Sequence, residues 1–113
     1  MAEALPTLDL VLALVRPALL AAGFEEAAGS DPGPYTWVRF RRGERAGEQR
    51  FTRIITVSHA SAEGAYLADA YLVARDTRTQ TPVGRELRRY GDAGDAESAA
   101  RELAAAVLGW VGA

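Results

Sequence analysis

Polar and apolar residues alternate most regularly between Phe51 and Ala74, in two runs, Phe51 to His59 and Ala65 to Ala74, on either side of Ala60-Ser-Ala-Glu-Gly64. Successive side chains of a strand point to opposite faces, so a half-buried sheet shows a period of two. The pattern predicts an antiparallel hairpin closed by a loop of about five residues. If Ala60 opposes Ala65, then His59 opposes Tyr66, Val57 opposes Ala68, Ile55 opposes Ala70 and Arg53 opposes Leu72. Apart from Arg53 this set is apolar and mostly small. Alanine is a poor strand former, but a row of alanines lets a helix lie close on a sheet, so we assign the set to a covered face. The other face carries Thr52, Ile54, Thr56, Ser58, Leu67, Asp69, Tyr71 and Val73, a half-wet mixture.

The flanking segments read as cover and extension. Met1 to Pro6 is a lead-in. From a cap at Thr7, with Asp9 in the first turn, Leu8, Leu12, Val15, Leu19 and Ala22 follow helical spacing. Pro17 predicts a kink or a break into two pieces, and Gly23 ends the helix with Phe24 folding back on its last turn. Glu25 to Pro34 reads as a linker. Tyr35 to Arg42 reads as the first strand, with Val38 and Phe40 inward and Trp37, Arg39 and Arg41 on the open face. Gly43 to Gln49 is then a charged turn. Arg75 to Pro82 is polar, and Pro82 keeps it out of a central ladder. Val83 to Tyr90 fits either an edge strand or a helical turn. After the break Gly91 to Gly94, Asp95 is placed to cap a closing helix whose face is Ala100, Leu103, Val107 and Trp110.

These pieces predict one α+β domain over residues 1–113: an antiparallel three- to four-stranded meander with the N-terminal and C-terminal helices packed on one face, in the order α-β-β-β-(β)-α. That order is similar in outline to small secretion-chaperone-like and sensor-like bacterial domains. It also leaves the opposite sheet face without an intramolecular partner.

Composition narrows the chemistry. The chain has 113 residues, enough for one core, and no cysteine, which excludes disulfides, thiolate metal sites and cysteine nucleophiles. The apolar run from Leu8 to Leu20 lacks a basic lead and is interrupted by Arg16-Pro17, so neither a secretory signal nor a membrane span is expected and the cytoplasm is the expected location. The formal net charge of -2 gives no bulk attraction to nucleic acid or to an anionic membrane. Every basic residue is arginine and asparagine is missing, which we read as the codon bias of a GC-rich bacterial genome.

No catalytic constellation, cofactor motif or metal site emerges. His59, the single histidine, adjoins Ser58, but neighbouring strand residues face opposite ways and cannot form a nucleophile–base pair. One histidine among carboxylates is a poor zinc site, and the glycines form no phosphate or dinucleotide fingerprint. The expected function is therefore a non-catalytic protein-interaction module that pairs through Trp37, Arg39, Arg41, Ile54, Asp69 and Tyr71, as a homodimer or with another protein. A second expectation is a small-molecule or anion pocket on the open face, lined by Trp37, Tyr71 and His59 with Arg39 and Arg53 meeting an anion. A third, single-stranded nucleic acid stacked on the arginine and aromatic rows, has little electrostatic drive behind it.

Overall fold

In the computed structural model, which describes residues 6–31 and 33–112, the chain runs α1 (Asp9–Ala21), β1 (Glu25–Gly29), β2 (Tyr35–Ala46), β3 (Gln49–Ala60), β4 (Ala65–Ala74), β5 (Gln80–Arg89) and α2 (Ala93–Gly109). A single turn of 3-10 helix, Ser61–Glu63, joins β3 to β4 and ends at Gly64 in the left-handed conformation. The strands form one antiparallel sheet in sequence order. The lead-in proposed at Met1 to Pro6 lies, apart from Pro6, outside the described residues.

The central hairpin has the register its alternation predicts, from Phe51 opposite Ala74 through Ile55 opposite Ala70 to Ala60 opposite Ala65. The covered face is built on that register. Phe40, Ile55, Val57, Tyr66, Ala68 and Ala70 are buried in one cluster with Val11, Leu12, Val15 and Leu19 of α1 and Leu103 and Val107 of α2. The helix α2 rests on β4 and β5 and packs beside α1. Its seat is made of small residues, Ala68 and Ala70 on β4 and Gly84 opposite Ala70 on β5, met by Ala96, Ala99, Ala100 and Ala104 from the helix. Both helices thus cover the same side of the sheet. Among the described residues no helix is long and apolar enough to cross a membrane.

Several local expectations are corrected. The linker expected from Glu25 to Pro34 contains a strand, β1, which pairs with β2 through a bulge between Glu26 and Ala28 and raises the sheet to five strands. All its residues are exposed, so it has no hydrophobic period to betray it; backbone pairing and the ion pairs Arg41–Glu25 (2.6 Å) and Arg16–Glu26 (2.8 Å) define it. The charged turn expected from Gly43 to Gln49 shrinks to Gly47 and Glu48, because Gly47 supplies the positive φ that the first position of a II′ turn requires and the ladder runs on to Ala46 opposite Gln49. Pro17 does not divide α1, which is continuous; the proline and Ala13 both face solvent, where water can satisfy the carbonyl the ring leaves free. Thr7 acts as the side-chain cap of α1, its Oγ1 accepting from the Asp9 amide at 3.3 Å while Leu8 already has helical dihedrals, and α2 is capped by Asp92, whose Oδ1 accepts from the Asp95 amide at 2.8 Å, rather than by Asp95. Val83 to Tyr90 resolves as a strand, with Pro82 at an edge beside a bulge, where no ladder donor is needed.

The end of α1 follows its sequence closely. Gly23 has φ +93, its amide donates to the Leu20 carbonyl, and the Phe24 amide donates to Leu19 at 2.9 Å. This is the paired bonding of a Schellman motif, and it turns Phe24 into the core.

Candidate functional site

The register arranges the open face as four rows across the sheet. The first holds Trp37, Ser58, Leu67 and Leu87; the second Ala28, Arg39, Thr56, Asp69 and Arg85; the third Glu25, Arg41, Ile54, Tyr71 and Pro82; the fourth Gly43, Thr52, Val73 and Gln80. Among the described residues no helix covers these rows. Trp37, Ile54, Leu67, Tyr71 and Val73 are half-buried, and Leu87 is 43% exposed. The Arg39 guanidinium lies 5.2 Å from the Trp37 ring and donates to Thr56 Oγ1 at 3.3 Å. Arg41 is held by Glu25. Among the described residues, neither Arg39 nor Asp69 makes an ion pair. The six residues expected to form an interaction face, Trp37, Arg39, Arg41, Ile54, Asp69 and Tyr71, therefore share one surface, to which the structure adds Leu67, Arg85 and Leu87.

The pocket expected from Trp37, Tyr71, His59, Arg39 and Arg53 is not assembled as a unit. His59 and Arg53 project to the covered side, while Tyr71 and Arg39 stand on the open side. Arg53 also lies six positions along β3 from His59, about 20 Å in an extended strand. Instead, His59 and Trp37 line a largely apolar cavity of about 750 Å³ at one end of the sheet, with Leu8 and Leu12 of α1, Val38 of β2, and Tyr90. The imidazole stacks on Tyr66 with ring centroids 4.6 Å apart, and its Nε2 meets the Tyr90 hydroxyl at 2.5 Å. Tyr66 in turn donates its hydroxyl to the Thr7 carbonyl at 2.8 Å, which ties the start of α1 to the sheet.

At the other end of the covered face, Arg53 is a structural residue. It grips Glu44 through Nε at 2.5 Å and Nη2 at 3.0 Å and donates from Nη1 to the Trp110 carbonyl at 2.9 Å. Arg42 binds the same carboxylate, lies over the Phe24 ring, and donates to the carbonyls of Ala22 and Val111. Two cations thereby satisfy the carbonyl ends of both helices, where the helix dipole favours positive charge. The Arg53 hydrogen bond, set against partial burial and helped by Arg42, holds the Glu44 carboxyl below the usual carboxylate range. With its donors committed in this way, Arg53 has little left for an exogenous anion.

No family model matches the chain, and no curated protein or solved structure matches it either. Among the described residues no cluster of three or more His, Asp or Glu side chains is placed to hold a metal ion. The hairpin register predicts Tyr66 opposite His59, and the ladder has that pair; Tyr90, beyond the far end of β5, has no signal in the sequence as a partner of His59. The charge on Arg53, anomalous in a covered set, was the one mark of the clamp.

Burial pushes the His59 imidazole below its ordinary value of 6.5, and pushes Tyr66 up to about 12, with Tyr90 adding to the latter. The folded state therefore holds His59 neutral while the unfolded chain binds a proton near pH 6.5. The contribution of His59 to stability is complete above that pH and is lost as the pH falls from there through the lower folded value. Urea midpoints measured at several pH values between about 7.5 and 5 should decline over this window, and the decline should flatten in His59→Phe. An unchanged slope in that variant would remove His59 as its cause.

Proposed function

We propose that this protein is a non-catalytic interaction module that binds another protein chain through the open sheet face. The observation that carries this reading is the set of half-buried apolar residues, Trp37, Ile54, Leu67, Tyr71 and Val73, together with the more exposed Leu87, on a five-stranded sheet whose two covering helices both lie on the other side. Continuous apolar patches of this kind are seldom left in water by soluble monomers. Aromatic residues with flanking arginine are the composition that interfaces favour. A cysteine-free chain is at home in the cytoplasm, which is where we place this activity.

The mass of the purified chain in solution tests the proposal. It should exceed the 12.1 kDa of one chain and return to that value in Trp37→Ala/Tyr71→Ala, with the circular dichroism spectrum preserved. A mass above one chain that the double substitution leaves unchanged would count against it, because the assembly would then use another surface.

The cavity beside His59 supports a second reading, in which a small uncharged apolar molecule sits against Trp37, Leu8 and Leu12 with the imidazole–phenol pair offering it a hydrogen bond. Its volume is in the range typical of ligand sites, and binding would alter Trp37 fluorescence without changing the mass. Nucleic acid is the least supported partner: Glu25 neutralises Arg41, Asp69 interrupts the basic row, and the formal net charge is -2. Its mark would be an affinity that collapses with added salt.

A further inference from the structure

We infer that the partner on the open face is a second copy of this chain, related by a two-fold axis lying in the interface parallel to β3. The inference rests on the interaction reading above and names its occupant. A two-fold axis of this orientation exchanges the two sides of the face, bringing β2 of one copy over β4 of the other within the same row. The rows are self-complementary under that exchange. In the second row, Arg39 meets the partner's Asp69, and Asp69 meets the partner's Arg39. Trp37 meets the partner's Leu67 in the first row, and Arg41 meets the phenol ring of the partner's Tyr71 in the third. On the axis itself, Ile54 and Thr56 meet their own counterparts. Toward the edges, Arg85 comes diagonally beside the partner's Glu25.

The alternative face-to-face axis, running across the strands, fails on charge. It would stack β2 on β2 with rows inverted, setting Arg39 against the partner's Arg41 and leaving Asp69 over a tyrosine. Like charges so placed oppose association. The strand-parallel axis also gives ion-pair partners to Arg39 and Asp69, two of the three charges of the second row that have none among the described residues; the third, Arg85, stands opposite Asp69 on the neighbouring strand. An axis along β3 sets the central strands of the two sheets parallel about 10 Å apart, and the twist of each sheet carries its outer strands away, so the three central strands keep their apposition while the edges diverge. Three strands and four rows span roughly 400 Å² in projection, below the ~800 Å² per partner of a standard interface before side-chain relief is counted. In a contact this small, the two symmetry-related ion pairs decide orientation and much of the affinity.

A charge exchange tests the axis. Analytical ultracentrifugation should show the native chain dimerising. Arg39→Asp and Asp69→Arg should each weaken it by at least about tenfold, since each creates two like-charge contacts. An equimolar mixture of the two variants should recover a dimer, because each introduced charge then faces its opposite, and Arg39→Asp/Asp69→Arg in one chain should recover it too. A second arm does not depend on these variants folding. The chain has no cysteine, so Thr56→Cys introduces a single thiol on the axis, which a short bis-maleimide should join to its counterpart. Glu102→Cys, on the exposed side of α2, should not be joined.

If Trp37→Ala dissociates the dimer but mixing the charge variants recovers nothing and Thr56→Cys does not cross-link, the open face is the interface and the axis is wrong. If the dimer ignores Trp37→Ala, the interaction reading falls with it. A native chain that stays monomeric at about 100 µM, well above the dissociation constants of ordinary specific dimers, would overturn the second copy as occupant.

Discussion

Arg53→Met should cost the fold about 3 kcal/mol, near the lower end of what breaking a buried ion pair costs. Arg53 is 4% exposed, and its guanidinium makes two bonds to Glu44 and donates to the Trp110 carbonyl at the end of α2. Removing it leaves that carbonyl without its donor and Glu44 with Arg42 alone, which is why the cost should sit at the lower end and not higher. The acid limb supplies a signature that general damage would not. Glu44 titrates below its ordinary 4.5 in the folded chain, so its contribution is present above that pH and is lost as the pH falls through the lower folded value. With Arg53 gone that depression shrinks, and the substituted chain should lose less additional stability between about pH 5 and 3 than the native chain does. Replacing both partners, as Arg53→Met/Glu44→Met, should restore part of the loss because no half-desolvated carboxylate then remains, while Arg42 keeps its bonds to the Ala22 and Val111 carbonyls. Urea denaturation across pH measures all three. A native-like midpoint for Arg53→Met would show that the clamp contributes nothing.

That clamp marks the boundary of what the sequence discloses. Alternation from Phe51 to Ala74 was enough to set the hairpin register, because a slip of one residue would have turned every buried side chain outward. The alanines of β4 announced a helix seat, and the spacing of Leu103, Val107 and Trp110 announced the helix that uses it. Arg53 stood out in the covered set with no visible reason. Its reason is Glu44, and Glu44 belongs to a part of β2 that two glycines and a run of charges disguise as a turn. The strand β1 was illegible for a related cause: an edge strand exposed along its whole length is held by backbone bonds and surface ion pairs, which leave no period in the side chains. The candidate face was legible one strand at a time. Its row order, and with it the placing of Arg39 and Asp69 at equivalent distances from β3, needed the full ladder. His59 is a mixed case: the hairpin register already sets Tyr66 opposite it, but Tyr90, whose hydroxyl meets its Nε2, becomes a neighbour only after folding.

Gly84→Ala should destabilise the protein by about 1–3 kcal/mol, although alanine is otherwise the better strand residue. Gly84 lies opposite Ala70 on the covered side of β5, and the indole of Trp110 rests directly on it. A Cβ there would stand 2.8 Å from Cζ2 of the indole and closer still to Nε1 and Cε2. The ring has little freedom to withdraw: the Trp110 amide donates to Val107 at 2.9 Å, and its carbonyl accepts from Arg53. Relief must come either from lifting the end of α2, which opens the core around Val107, or from displacing β5, which already carries a bulge at this point. The energy gained by restricting the unfolded chain, about 0.4–1 kcal/mol, is too small to offset either movement. Trp110→Leu should be destabilising by itself, since it empties the space over Gly84. Combined with Gly84→Ala it should cost less than the sum of the two, because the new methyl then fills part of that space. Thermal or urea unfolding of the four proteins in the cycle measures the coupling, and tryptophan fluorescence of Gly84→Ala should shift to the red as the indole gains water. Additive losses, or a Gly84→Ala chain as stable as the native one, would mean that the indole does not rest on this glycine and that α2 sits higher over β5 than its alanine seat implies.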